Sequence, residues 1–243
     1  AACVAWGLLW SPGAAAYAAN DPFTTNAFLK DSVPTLGSKF GLLAADLEVV
    51  AVATGPHISQ VPGGDAVCIY RHLGGEWVLE DRFRGSNTTS EDAFRIPALS
   101  GDTLVVGAFF EESAATGLNG DESDNSADNA GAVYVFERSG GAWGQVAYIK
   151  ASNTDESDNF GRSVAIDGDT IVVGATGESS SASTPGGNQS DNSLPAAGAA
   201  YVFIRSASTW TQEAYIKPPS PGTFDQFGLS VAVVGDRLFA GAP

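Results

Sequence analysis

The acidic and amide side chains of this 243-residue chain gather in two long loops. One, EESAATGLNGDESDNSADNAG at 111–131, holds Glu111, Glu112, Asp121, Glu122, Asp124, Asn125 and Asp128 with no lysine or arginine among them. The other, ESSSASTPGGNQSDNSLPAAG at 178–198, holds Glu178, Asp191 and Asn192. Laid over each other at an offset of 67, Glu111 matches Glu178, Gly120 matches Gly187, Asp124 matches Asp191 and Asn125 matches Asn192. Hard divalent cations prefer carboxylate, amide and backbone oxygens, and a long Gly/Ser/Asn segment can fold around one. The chemistry this suggests is Ca²⁺ binding, with Glu111, Glu112, Asp121, Asp124, Asn125, Asp128, Glu178, Asp191 and Asn192 as candidate ligands. The alternative is a solvated acidic loop whose Ser and Asn residues make local turns. The spacing matches no EF-hand pattern.

A second acidic position precedes each Phe that begins a repeated phrase. Asp92, Asp158 and Asp225 lie two residues before Phe94, Phe160 and Phe227, with Ser38 in the same place before Phe40. A fixed Asp or Ser in a turn points to side-chain to backbone hydrogen bonding. Catalytic groups are scarce. His57 and His72 are the only histidines, and neither recurs. No nucleophile motif, Cys/His cluster or phosphate-cradling glycine loop is present, so no enzyme activity is expected.

The elements that must position these loops emerge from an internal repeat. Residues 131–176 and 198–243 align without a gap over 46 positions at the same offset of 67, pairing Phe136 with Phe203, Trp143 with Trp210, Tyr148 with Tyr215 and Phe160 with Phe227. SNTTSEDAFRIPALSGDTLVVGAFF at 86–110 is an earlier copy, and AFLKDSVPTLGSKFGLLAADLEVVAVATG at 27–55 a more worn one. The units run over about 27–83, 84–150 and 151–217, with the opening half of a fourth at 218–243. Each reads as four short strands; in the third they are SVAID, TIVVGA, GAAYVFIR and WTQEAYIK. Asp167-Gly168 offers the positive φ of a tight hairpin turn between the first two. TIVVGA and YVFI are apolar on successive residues, the mark of strands covered on both faces. Four-stranded units that need a neighbour on each face describe β-propeller blades. The fold class expected is therefore all-β, a propeller of four-stranded antiparallel blades seen as an incomplete arc of about three and a half blades. Trp77, Trp143 and Trp210, at one point of each unit, are expected to pack between blades.

The phrases Phe227-Gly228 and Gly241-Ala242-Pro243 resemble the FG-GAP repeat of integrin α-subunit propellers. GAVYVF, AYIKASNTD and SVAIDGDTIVVGA are closer still to bacterial secreted multi-repeat FG-GAP proteins. The resemblance spans about residues 27–243 and implies a seven-bladed propeller at the cell surface or outside the cell, with a role in adhesion or ligand binding. It also implies calcium loops, which in integrins lie between the FG strand and the GAP strand. Here that place holds only IDGDT (166–170), SGDT (100–103) or VGDR (234–237), too short to wrap a cation that wants six to eight oxygens. The integrin site does not carry over, and Asp167 and Asp169 read as turn formers.

Composition narrows the partners. A net charge of −16, from 28 acids against 12 bases, argues against nucleic acid, which needs clustered Lys and Arg. No run approaches the length of a membrane span. With no Met the sequence reads as a processed product or a fragment, and residues 1–19 as a signal-like remnant around Ala16-Tyr17-Ala18 or a degenerate strand. Of the two cysteines, Cys68 in AVCIYRH reads as a small buried hydrophobe. The expected function is a non-catalytic propeller module presenting loops to a protein or glycan ligand, with the missing blades of the same propeller as its neighbours. A lectin-like propeller and a purely structural surface repeat are the alternatives.

Overall fold

A computed structural model of the chain describes residues 3–6, 28–31, 38–46, 48–56, 65–88 and 92–243, with side chains for 44–46, 48–53, 65–88 and 92–243. The Ala16-Tyr17-Ala18 segment and the loop carrying His57 lie outside the described residues. Among the described residues every regular element is a strand, and no helix is long and apolar enough to cross a membrane.

Strands β1 (Cys3–Trp6) and β2 (Phe28–Asp31) form an antiparallel pair. Three four-stranded antiparallel meanders follow. The first comprises β3 (Ser38–Asp46), β4 (Val49–Pro56), β5 (Ala66–Leu73) and β6 (Glu76–Phe83). The second comprises β7 (Phe94–Ser100), β8 (Thr103–Ala108), β9 (Ala132–Ser139) and β10 (Ala142–Ile149). The third comprises β11 (Phe160–Asp167), β12 (Thr170–Ala175), β13 (Ala199–Ser206) and β14 (Thr209–Ile216). A hairpin of β15 (Ser230–Val234) and β16 (Arg237–Gly241) completes the set. The sheets are propeller-type blades whose first strands β3, β7, β11 and β15 lie side by side.

The continuous apolar runs explain the stacking. On β8, Leu104, Val106 and Ala108 join one core with Val49, Val67, Ile69 and Phe83 of the first blade. The alternate residue Val105 joins a different core with Ile171, Val173, Tyr201 and Phe203 of the third blade. A strand with its two faces in two cores must be apolar at every position. Each fully buried side chain of this size contributes about 1.5–3 kcal/mol, so the cohesion of the fold lies between blades. Trp143 and Trp210 follow suit, whereas among the described residues Trp77 packs within its own blade, against His72 at 5.2 Å between ring centroids and the buried Val52, Cys68 and Tyr70. Trp210 is buried in the core between the second and third blades, and Trp143 meets Phe83 of the preceding blade edge-on at 5.8 Å between ring centroids.

The FG and GA glycines meet at these interfaces. A Cβ on Gly107 would stand 2.1 Å from the Gly161 carbonyl oxygen of the next blade, and one on Gly174 would stand 2.0 Å from that of Gly228. Gly161 and Gly228 both have φ of 87°. The two ends of the motif are thus partners across an interface.

In the third blade the first hairpin turn is centred one position later than the Asp167-Gly168 pair suggests. Asp167 pairs with Thr170, leaving Gly168 and Asp169 as the loop, and Gly168 carries the positive φ of 54°. Asp167 is released for a different task, accepting the Gly235 N–H of the next hairpin at 2.7 Å. Ser100 accepts the Gly168 N–H at 3.1 Å and Asp46 the Gly101 N–H at 2.5 Å, so the turns are tied blade to blade. Cys68, wholly buried on β5, is disulfide-bonded, which corrects its reading as a simple buried hydrophobe.

Candidate functional site

The two acidic loops leave the ends of β8 and β12, and one buried polar cluster anchors each. In the second blade, Glu111 Oε2 accepts Lys150 Nζ at 2.8 Å and Glu111 Oε1 accepts the Tyr148 hydroxyl at 2.9 Å. The Ser113 N–H at 3.2 Å and Asn87 Nδ2 at 3.3 Å complete the carboxylate's donors. The Tyr134 hydroxyl in turn donates to Asn87 Oδ1 at 2.5 Å. The third blade repeats this: Glu178 accepts Lys217 Nζ at 2.7 Å, the Tyr215 hydroxyl at 2.8 Å, Ser180 N–H at 3.2 Å and Asn153 Nδ2 at 3.4 Å. Tyr201 donates to Asn153 Oδ1 at 2.7 Å. Both ion pairs are shut off from solvent, with side-chain exposures of 0–1%. Burial pushes the Lys150 ammonium down from its ordinary value, and the Glu111 carboxylate opposes that shift. All four tyrosine hydroxyls are pushed well above the usual tyrosine range, first by burial and then by the glutamate. The cluster ties the segment before the blade's first strand, the loop root, the strand after the loop and the end of the last strand into one clasp.

The remaining candidate ligands stand apart from it. Asp124 Oδ2 accepts the Ala114 N–H at 2.8 Å and the Ser126 hydroxyl at 3.0 Å. Asp121 accepts the Ser123 N–H and hydroxyl at 2.9 and 2.6 Å. Asp191 accepts the Ser181 hydroxyl and N–H at 2.5 and 2.8 Å, with the Ser193 hydroxyl at 2.9 Å. The serine hydroxyl and N–H at position 181 hold the Asp191 carboxyl down at about 2, helped by Ser193. Glu112 is half-buried, its carbonyl accepting the Ala127 N–H at 2.8 Å. Asn125 and Asp128 are exposed, and exposed Asn192 donates to Asp155 at 2.9 Å. Among the described residues no three His, Cys, Asp or Glu side chains converge as metal ligands. The nine candidates lie on two separate loops, so a calcium ion, which takes six to eight oxygens, would have to be held in either loop by its carboxylates together with amide and backbone oxygens. Glu111 and Glu178, engaged by lysine, belong to the clasp. Since backbone and serine donors already hold the loops, we expect excess EDTA to shift the thermal midpoint by less than about 1 °C, whereas a calcium site loaded at 100 Kd would add about 2.7 kcal/mol. Calorimetry with and without about 5 mM Ca²⁺, roughly 5–50 Kd for a weak extracellular site, checks this.

The aspartates before each Phe make the turns expected of them where their partners are described. The Asp155 N–H donates to Asp158 Oδ2 at 3.0 Å and the Gly222 N–H to Asp225 Oδ2 at 2.6 Å. Asp158 is 3% exposed, and burial pushes its carboxyl up to about 8, with Glu178 and Asp155 adding to the rise and the Asp155 N–H and Lys150 opposing it. A carboxyl whose folded value lies above its unfolded one binds a proton more tightly when folded. Stability therefore falls as pH rises from about 4 to about 8 and levels off above. Asp158→Asn should lose that part of the decline and be the more stable protein at pH 8.5, read from urea midpoints across about pH 4–9.

On the opposite edge of the blades, a cleft of about 370 Å³ lies between the turn at Ser100–Thr103, Gly168, Glu137, Arg138 and Arg205. Its arginines are occupied. Arg205 pairs with Glu137 at 2.5 Å and with Asp169 at 2.6 Å, and Arg138 with Glu80 at 2.5 Å. The Arg205–Glu137 and Arg138–Glu80 bridges join adjacent blades, Arg205–Asp169 lies within the third, and both arginines of the cleft are thereby neutralised.

Stacked four-stranded blades, glycine-to-glycine interfaces and one clasp per blade define a β-propeller-type repeat protein. Residues 143–203 match the family model described as the FG-GAP repeat, so the chain carries that repeat. No curated protein matches the chain. What the loop composition concealed was the clasp itself: Lys150, Tyr148, Asn87 and Tyr134 sit outside the acidic run. Lys150 and Lys217 nevertheless recur at the same offset of 67 as Glu111 and Glu178, and that shared period was the available signal.

Proposed function

We propose that this chain is a non-catalytic, extracellular recognition module whose ligand, a protein or a glycan, is met by the loop face. The observation that carries this reading is the contrast within each loop. The anchors repeat in residue and geometry, while the tips differ: Asp121 and Asp128 face solvent where the next blade has Asn188 and Pro195. A scaffold that holds its roots and varies its tips is arranged to present surface. Disulfide bonding at Cys68 supports an oxidising compartment.

The test is a screen of immobilised extracellular proteins and a glycan array with the purified chain. A saturable hit that weakens when residues 121–128 are replaced by the third blade's 188–195 supports the reading. Hits that ignore that exchange, or none from either source, overturn it.

A further inference from the structure

Subtracting the repeat from itself exposes a feature that the scaffold does not require. Where the third blade continues from Gly174-Ala175 into Thr176-Gly177, the second continues from Gly107-Ala108 into Phe109-Phe110. Phe109 is buried and Phe110 is 37% exposed, their rings packed edge to face at 4.3 Å between centroids. Two guanidinium groups gather on Phe109. Arg95 Cζ, from β7, is 5.4 Å from the ring centroid, and Arg162 Cζ, from β11 of the next blade, is 5.0 Å from it. Both arginines are part-exposed.

In a protein of charge −16, cations are expected to sit against carboxylates, and here Arg71, Arg138, Arg205, Lys150 and Lys217 do so. Arg95 and Arg162 do not: among the described residues neither has a carboxylate oxygen within the 4.0 Å of an ion pair. Arg95 acts at longer range on Asp65, 2% exposed, opposing the burial that pushes the Asp65 carboxyl up to about 6. Two like charges brought to one ring repel each other. The ring face compensates in part through cation–π attraction, and an anion between or beside them would compensate more. Planar guanidinium forks match carboxylate and sulfate oxygens two at a time, and Phe110 stands alongside as an apolar surface.

We propose that Arg95, Arg162, Phe109 and Phe110 form a binding site, at the inner margin of the loop face, for a carboxylate- or sulfate-bearing ligand with an apolar face. The site uses none of the loop-tip residues, so it stands or falls independently of recognition by the tips.

The probes are benzoate and phenyl sulfate, with benzyl alcohol as the uncharged counterpart, titrated into ¹⁵N-labelled protein while the arginine Nε–H resonances are followed. Both anions should shift the Arg95 and Arg162 signals saturably, and benzyl alcohol should bind at least about tenfold more weakly. Arg95→Gln and Arg162→Gln should each weaken benzoate binding by about tenfold, while Glu213→Gln on the outer strand β14 changes nothing. If a glutamine variant fails to fold, Arg162→Lys keeps the charge without the fork and should still lose several-fold in affinity. Absence of a saturable shift overturns the proposal. So does equal binding of benzyl alcohol, or an affinity untouched by the arginine variants.

Discussion

Lys217→Met should destabilise the protein by about 3–5 kcal/mol, the cost of leaving a buried carboxylate without its counter-charge. For a chain of this size that is on the order of 10 °C in Tm. Glu178→Leu should cost more, because four donors lose one acceptor together: Lys217 Nζ, the Tyr215 hydroxyl, the Ser180 N–H and Asn153 Nδ2. An unsatisfied buried group costs about 1–3 kcal/mol, and a charged one more. The double variant separates the pair from the network. It relieves the stranded ammonium but leaves the tyrosine, serine and asparagine donors unmet, so it should recover only part of the loss, with a coupling of about 2–3 kcal/mol. Urea denaturation of the four proteins yields the cycle. A loss below about 1 kcal/mol for Lys217→Met would place the pair in the class of solvent-screened surface bridges and contradict its burial. The loop should respond as well: once the root is loosened, residues 178–198 should be cleaved sooner by a nonspecific protease, ahead of global unfolding.

The blade pattern was legible because apolar periodicity and a fixed offset act on the same residues. SVAID, TIVVGA, GAAYVFIR and WTQEAYIK fall on β11, β12, β13 and β14 to within two or three residues at each end. A strand with no polar position must be covered twice, and the two cores meeting at β8 supply that cover. Roles set across blades or across a long loop were harder to read. Glu178 looks like one more acid of a polar loop until Lys217, 39 positions later, is brought to it by the β13–β14 meander. Asp167 reads as a local turn former because its acceptor role is toward Gly235, which only stacking places beside it. Arg95 and Arg162 carry no local signal at all, since a lone arginine on a strand is ordinary. Only their shared ring makes them a pair.

The same logic of contacts made between blades fixes what the glycines are for. Gly161→Ala should be among the most damaging single-methyl changes available, at about 2–5 kcal/mol. Two separate costs combine. At φ of 87° an L side chain is strained by roughly 1–2 kcal/mol. The new Cβ would also lie 2.5 Å from the Ala132 carbonyl oxygen and 3.2 Å from the Gly107 Cα, both backbone atoms that cannot rotate away. Overpacking of that kind costs about 1–3 kcal/mol. Gly107→Ala meets the same interface from the other side, with the Gly161 carbonyl oxygen 2.1 Å from its Cβ but no positive φ. It should therefore pay the steric cost without the conformational one, and the pair should couple when combined. Gly168→Ala is the control. Its φ of 54° is also positive, yet nothing lies within 4 Å of the added methyl, so only the strain of roughly 1–2 kcal/mol applies. If Gly161→Ala and Gly168→Ala shift the urea midpoint equally, the interface contributes nothing and the glycine serves the local backbone alone. A clear excess at Gly161 assigns the repeated glycine to the seam between blades.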